Sequence, residues 1–167
     1  PEKALQWFQQ ALPIAEQLAA HDPANAQAQN DLKKLQMFIK QTAQANATAQ
    51  RALAVSYNKS GDAQMRLGDT AAALAAYQQS LAIRERLAQA ESANAAAQRD
   101  LLVSYTKIAA IELKQNALEK ALQWYQQALP IAERLAAHDP ANAQAQKDLA
   151  WLQNEIGNTV ALTEFQE

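Results

Sequence analysis

The chain repeats itself. Residues 1–36, PEKALQWFQQALPIAEQLAAHDPANAQAQNDLKKLQ, return at 118–153 as LEKALQWYQQALPIAERLAAHDPANAQAQKDLAWLQ, nearly the same text. A looser copy runs from 70 to 105 as TAAALAAYQQSLAIRERLAQAESANAAAQRDLLVSY. Tyr57 and Tyr105, Tyr77 and Tyr125, and Asn94 and Asn142 each stand 48 residues apart, so the unit is about 48 residues with no slippage from Arg51 onward. Such a period belongs to stacked repeats, in which one unit cannot bury its own apolar face and its neighbours cover it.

Each unit is helical twice. Leu122, Tyr125, Leu129, Ala132, Leu135 and Ala136 fall at i, i+3/i+4 spacing and make one apolar face. Leu74, Tyr77, Leu81, Leu87 and Ala88 repeat it, as do Leu5, Phe8, Leu12, Leu18 and Ala19. Leu101, Tyr105, Ile108 and Ile111 form the stripe of the other half, matched by Leu53, Tyr57, Ser60 and Met65. Ala is the commonest residue and Gln is abundant, both strong helix formers. Three glycines cannot supply the turns of a β protein. His21-Asp22-Pro23 and His138-Asp139-Pro140 read as an N-cap Asp before Pro at the first helical position, with Ser92 as the cap in the middle copy. Gly68-Asp69 reads as a stop followed by a cap, and Asn116 fills the stop position one unit later.

The small and aromatic residues have a fixed order. Tyr57, Ser60, Gly61, Ala73, Tyr77 and Ser80 give it once, and Tyr105, Ile108, Ala109, Ala121, Tyr125 and Ala128 give it again. Ala4, Phe8 and Ala11 carry the second half alone; Ile156 and Gly157 carry the first half, with Gln153 in place of the aromatic. This order resembles the tetratricopeptide repeat family. The resemblance implies an all-α fold of helix A–turn–helix B pairs stacked in a right-handed α-solenoid, with Tyr77 filling the gap where Gly61 and Ala73 let two helices approach closely. The usual unit of that family is shorter, so this chain resembles its long-helix variants, such as kinesin-light-chain-type and large bacterial arrays. Pro13 and Pro130 inside helix B are a further departure, and each is expected to kink its helix.

The N-A-x-A-Q motif that opens helix A occurs at Asn25, Asn46, Asn94 and Asn142. The first two copies are only 21 residues apart, so two helix A sequences run consecutively with no helix B between them. No Gly or Pro occurs between Pro23 and Gly61, which predicts one continuous helix over 24–67; a turn near Ala43–Asn46 is the alternative. The organisation expected is a half repeat at 1–42, full repeats at 43–91 and 92–138, and a closing helix A at 139–167. Both ends then present unpaired helices, and Leu32, Leu35, Met37, Phe38 and Ile39 make a heavily apolar patch.

Little in the sequence points to catalysis. With no Cys there is no thiol nucleophile or thiolate metal site. His21 and His138 occupy equivalent turns with no carboxylate–His cluster at ligand spacing, and no nucleophile–base pair or Gly-rich phosphate loop occurs. No enzymatic activity, cofactor or metal is expected. A formal charge of −2 argues against nucleic acid, and no apolar run reaches the length of a membrane span. Trp7, Trp124 and Trp151 flank core aromatics and are expected to pack between helices.

The resemblance implies that helix A lines the concave face and that a ligand meets its inward positions. Those are Asn58, Asp62, Met65 and Arg66, then Thr106, Ala110, Leu113 and Lys114, then Asn154 and Asn158. An Asn amide can hold an extended peptide backbone through both donor and acceptor. The Lys/Asn/Lys/Arg clamp of chaperone-binding members is absent, since Asn58 is followed by Asp62, Thr106 and Ala110. The expected function is a protein–protein interaction module or scaffold that displays helix A to a protein or peptide segment. The alternative is a self-assembling element, a homo-oligomer in which open solenoid ends or a swapped first hairpin complete a neighbouring molecule. The lack of Cys fits a cytoplasmic location.

Overall fold

A computed structural model describes residues 2–165. These form six helices and no strand: α1 (Glu2–His21), α2 (Ala26–Arg66), α3 (Thr70–Ala90), α4 (Ala95–Lys114), α5 (Leu118–His138) and α6 (Ala143–Glu164). The chain divides into two compact units, Pro1–Ala52 and Leu53–Glu167. The fold is an all-α helical-repeat solenoid of tetratricopeptide type.

α2 is continuous over 41 residues, as the absence of a breaker predicts. The Asn46 copy of the motif lies inside it. Thr42, Ala43 and Gln44 stand where other copies have a turn, and every one of them can propagate a helix. Pro13 and Pro130 sit inside α1 and α5, which run on past them.

Two kinds of turn connect the helices. After α2 and α4 the chain closes a Schellman motif. Asp69 N–H bonds the Gln64 carbonyl at 3.0 Å and Gly68 N–H that of Met65 at 3.2 Å; Ala117 and Asn116 repeat this on Glu112 and Leu113 at 2.8 and 3.0 Å. The pivot must adopt positive φ, met by Gly68 at 81° and Asn116 at 57°. Asp69 then caps α3, its Oδ1 accepting from Ala72 N–H at 2.9 Å.

The turns from helix B back to helix A correct the expected caps. The N-cap residue is the motif asparagine, not the Asp before Pro and not Ser92. Asn94 Oδ1 accepts from the N–H groups of Ala96 and Ala97, Asn142 from Gln144 and Ala145, and Asn25 from Ala28. Asp22, Glu91 and Asp139 act through their carbonyls, which accept from the Asn25, Asn94 and Asn142 N–H groups at 3.0, 2.8 and 3.0 Å. The helices therefore start about three residues later than an Asp-Pro cap would place them.

The last residue of the motif has its own task. Gln29, Gln98 and Gln146 each donate their side-chain N–H to a carbonyl ten residues back, at Ala19, Ala88 and Ala136, over 2.9, 2.9 and 3.0 Å. Each bond ties the start of helix A to the last turn of the preceding helix B, whose carbonyls have no partner in their own helix. Gln98 also accepts from Arg134 of α5 at 2.7 Å, so it joins three helices. Gln98→Ala is expected to cost about 1–2 kcal/mol in urea unfolding, because a buried carbonyl loses its donor. Gln127→Ala, on the exposed side of α5, should change stability by less than about 0.5 kcal/mol.

The core of the Leu53–Glu167 unit runs between consecutive helices. Tyr77, Leu81, Leu101, Ile108, Ile111, Tyr125, Ile131 and Leu152 are buried in one cluster, with Met65, Trp124, Leu135 and Ile156 packed against it. Trp124 stacks on Tyr105 at 5.8 Å between centroids, and Trp151 meets the Tyr125 ring edge-on at 6.1 Å. The stripe in α2 is less covered than its α4 counterpart: Leu53 and Ser60 are exposed where Leu101 and Ile108 are buried. In the Pro1–Ala52 unit, Phe8 stacks on Phe38 at 5.9 Å and Leu32, Leu35 and Ile39 are half-buried. Trp7 departs from the expected packing: it is 74% exposed, because no helix covers the outer side of α1.

Candidate functional site

Three helix A segments follow one another in the Leu53–Glu167 unit: the end of α2, then α4, then α6. Ion pairs link them. Lys107 of α4 donates to Asp62 Oδ1 of α2 at 2.5 Å, and Arg99 of α4 donates to Asp148 of α6 at 2.8 Å. Both pairs span about one repeat, 45 and 49 residues.

Asp62 is the more elaborate of the two. Its Oδ1 also accepts from the Tyr77 hydroxyl, and the Lys107 ammonium lies 5.0 Å from the centre of the Tyr77 ring. Burial pushes the Asp62 carboxyl up, but Lys107 and Tyr77 outweigh it and hold the group below the usual carboxylate range. Burial, and then the neighbouring Asp62 carboxylate, push the Tyr77 hydroxyl far above its usual value. On the other side of α4, Tyr105 donates to Glu85 at 3.0 Å, and burial followed by that hydrogen bond pushes its hydroxyl up to about 12. These tyrosines stay neutral donors over the ordinary pH range. They fix carboxylates rather than act as acids or bases.

The positions that the sequence singles out separate into three groups. Asn58 is buried and its Oδ1 has no hydrogen-bond partner; Met65 and Leu113 pack against the core. Asp62 is engaged as described, and the Thr106 hydroxyl donates to the Val103 carbonyl of its own helix at 3.0 Å. Arg66, Ala110, Lys114, Asn154 and Asn158 are exposed. Lys107, Arg99 and Asp148, which join the helices, are not among the positions read from the sequence. Opposite charges about one repeat apart on successive helix A segments are the pattern that would have found them.

The helix pairs carry the small-residue and aromatic contacts of a known repeat. Two family models, each described as a tetratricopeptide repeat, match the chain, one over residues 54–86 and the other over 101–140. The chain is a tetratricopeptide-repeat protein. The matched spans cover the end of α2 with α3, and most of α4 with α5, where Gly61 and Ala109 sit at the close helix contacts. No curated protein and no solved structure matches this tetratricopeptide-repeat chain. Among the described residues, no helix is long and apolar enough to cross a membrane.

Proposed function

We propose that this tetratricopeptide-repeat protein is a non-catalytic interaction module that receives an extended protein or peptide segment on its successive helix A segments. Tetratricopeptide repeats generally mediate protein–protein interaction and scaffolding. The observation that carries the reading is the pair of bridges, Lys107 to Asp62 and Arg99 to Asp148, which tie each helix A to the next. They leave Arg66, Lys114, Asn154 and Asn158 exposed on segments already held together. A partner meeting such a face loses less free energy to ordering than one that must assemble it. The exposed asparagines offer donors and acceptors suited to peptide backbone, and Arg66 and Lys114 offer charge for an acidic side chain.

The test is selection of peptides from a random displayed library on the intact chain, followed by affinity measurement on a variant. Arg66→Ala, Asn154→Ala and Asn158→Ala are combined because all three sites are exposed and their loss leaves the helices standing. The selected peptides should bind the triple variant about tenfold or more weakly, a loss of at least about 1.4 kcal/mol. Equal affinity for both proteins would move the binding surface elsewhere.

A further inference from the structure

One seat in the solenoid is empty. Gly61 lies against the Tyr77 ring so closely that a Cβ on it would come within 2.5 Å of the ring. Ala109, one repeat later, has no exposed surface. Gly157 holds the same position in α6, yet it is exposed and a Cβ there would meet nothing within 4 Å.

α1 is the converse, a helix B with one side open. Its Ala4, Phe8 and Ala11 stand where α3 has Ala73, Tyr77 and Ser80 and α5 has Ala121, Tyr125 and Ala128. All six of those residues are buried against neighbouring helices, whereas Ala4 and Ala11 are exposed and Phe8 is only half-buried. The contrast continues along the helix. Ile14 is 70% exposed and its counterpart Ile131 only 7%.

We propose that α1 of one copy docks on α6 of a second copy, with Phe8 seated over Gly157 and Ala4 and Ala11 on either side. The chain itself identifies the occupant. α5, whose sequence α1 nearly duplicates, packs on α4, and α6 repeats the contact residues of α4 as Leu149, Ile156 and Gly157 for Leu101, Ile108 and Ala109. The polar groups agree. Tyr77 brings a hydroxyl to Asp62, but Phe8 brings none, and the residue at the Asp62 position of α6 is the uncharged Asn158. No carboxylate at that position is left buried without a partner. The contact is head-to-tail, so it closes into a ring or runs on as a filament according to the rotation between copies.

The test is the mass of the intact chain in solution, by light scattering after size exclusion, from low micromolar to near-millimolar concentration. The mass should rise above 18.3 kDa with concentration. Ala11→Glu places a charge in the α1 face, and Gly157→Leu fills the α6 seat. Both sites are exposed in the single chain, so each variant keeps its helix content by circular dichroism. Each should weaken association about 100-fold or more. Mixed together, the two variants should form a 1:1 dimer, because each retains the face that the other has lost. A chain that stays at 18.3 kDa throughout overturns the proposal. So does association that Gly157→Leu leaves unchanged, which would assign the contact to the α1 faces alone.

Discussion

Tyr125→Ala is expected to lower the unfolding free energy by about 4 kcal/mol, whereas Phe8→Ala should lower it by only about 1–2 kcal/mol. The two residues hold the same position in nearly identical stretches of sequence, so the difference isolates the neighbours. Tyr125 is 1% exposed, between the buried Ala121 and Ala128, with the Trp151 ring edge-on at 6.1 Å. Burial, and then the Glu155 carboxylate, push its hydroxyl up to about 12, as a ring enclosed by protein requires. Alanine in its place leaves a cavity whose walls are small residues on rigid helices, and they cannot collapse into it. Phe8 is covered on one face by Phe38 while its flanking Ala4 and Ala11 are exposed, so water already reaches the site. Urea unfolding by circular dichroism at low protein concentration, where copies do not associate, measures both. Equal losses would show that α1 is covered as completely as α5.

The helices and their order are legible in the sequence because the apolar spacing and the small-residue positions repeat. The long α2 is legible for a plainer reason: between Pro23 and Gly61 there is nothing to stop it. The caps are not. Asp22-Pro23 and Asp139-Pro140 look like helix starts, yet the reverse turn from helix B needs several residues. In it the Asp carbonyl accepts from the asparagine N–H, which leaves the asparagine side chain to cap. Nor can sequence foresee that Trp7 and Trp124, set in nearly the same words, end up 74% exposed and half-buried. What differs is the presence of a helix A on the other side, a property of the stack rather than of the segment. The candidate face shows the same division. Its helix A positions follow from the repeat, but Lys107–Asp62 and Arg99–Asp148 depend on how one unit is offset against the next.

The two repeat-equivalent glycines should respond to substitution with opposite signs. Gly61→Val is expected to cost about 3 kcal/mol, and Gly157→Ala to add about 0.5–1 kcal/mol. Both lie inside helices, where any residue with a Cβ loses less backbone entropy on folding than glycine does, so the intrinsic preference favours both changes. At Gly61 that preference is overcome. The new Cβ would lie 2.5, 2.7 and 2.9 Å from three atoms of the Tyr77 ring. The ring cannot swing aside freely, because it is buried and its hydroxyl is bound to Asp62, which also holds Lys107. Relief of the clash would require α3 to move off α2 or the Tyr77–Asp62–Lys107 cluster to open, and the second route would also disturb the face that receives a partner. Ala109 shows that a methyl group can be accepted at this contact in α4, which is why the larger valine is the sharper probe. At Gly157 a Cβ meets open space, so only the helical gain remains. Chemical denaturation of the two variants beside the parent, with the Tyr77-dependent partner affinity of Gly61→Val measured on the same selected peptides, separates the terms. A stabilised Gly61→Val protein would mean that the close contact between α2 and α3 is not held by the Tyr77 ring.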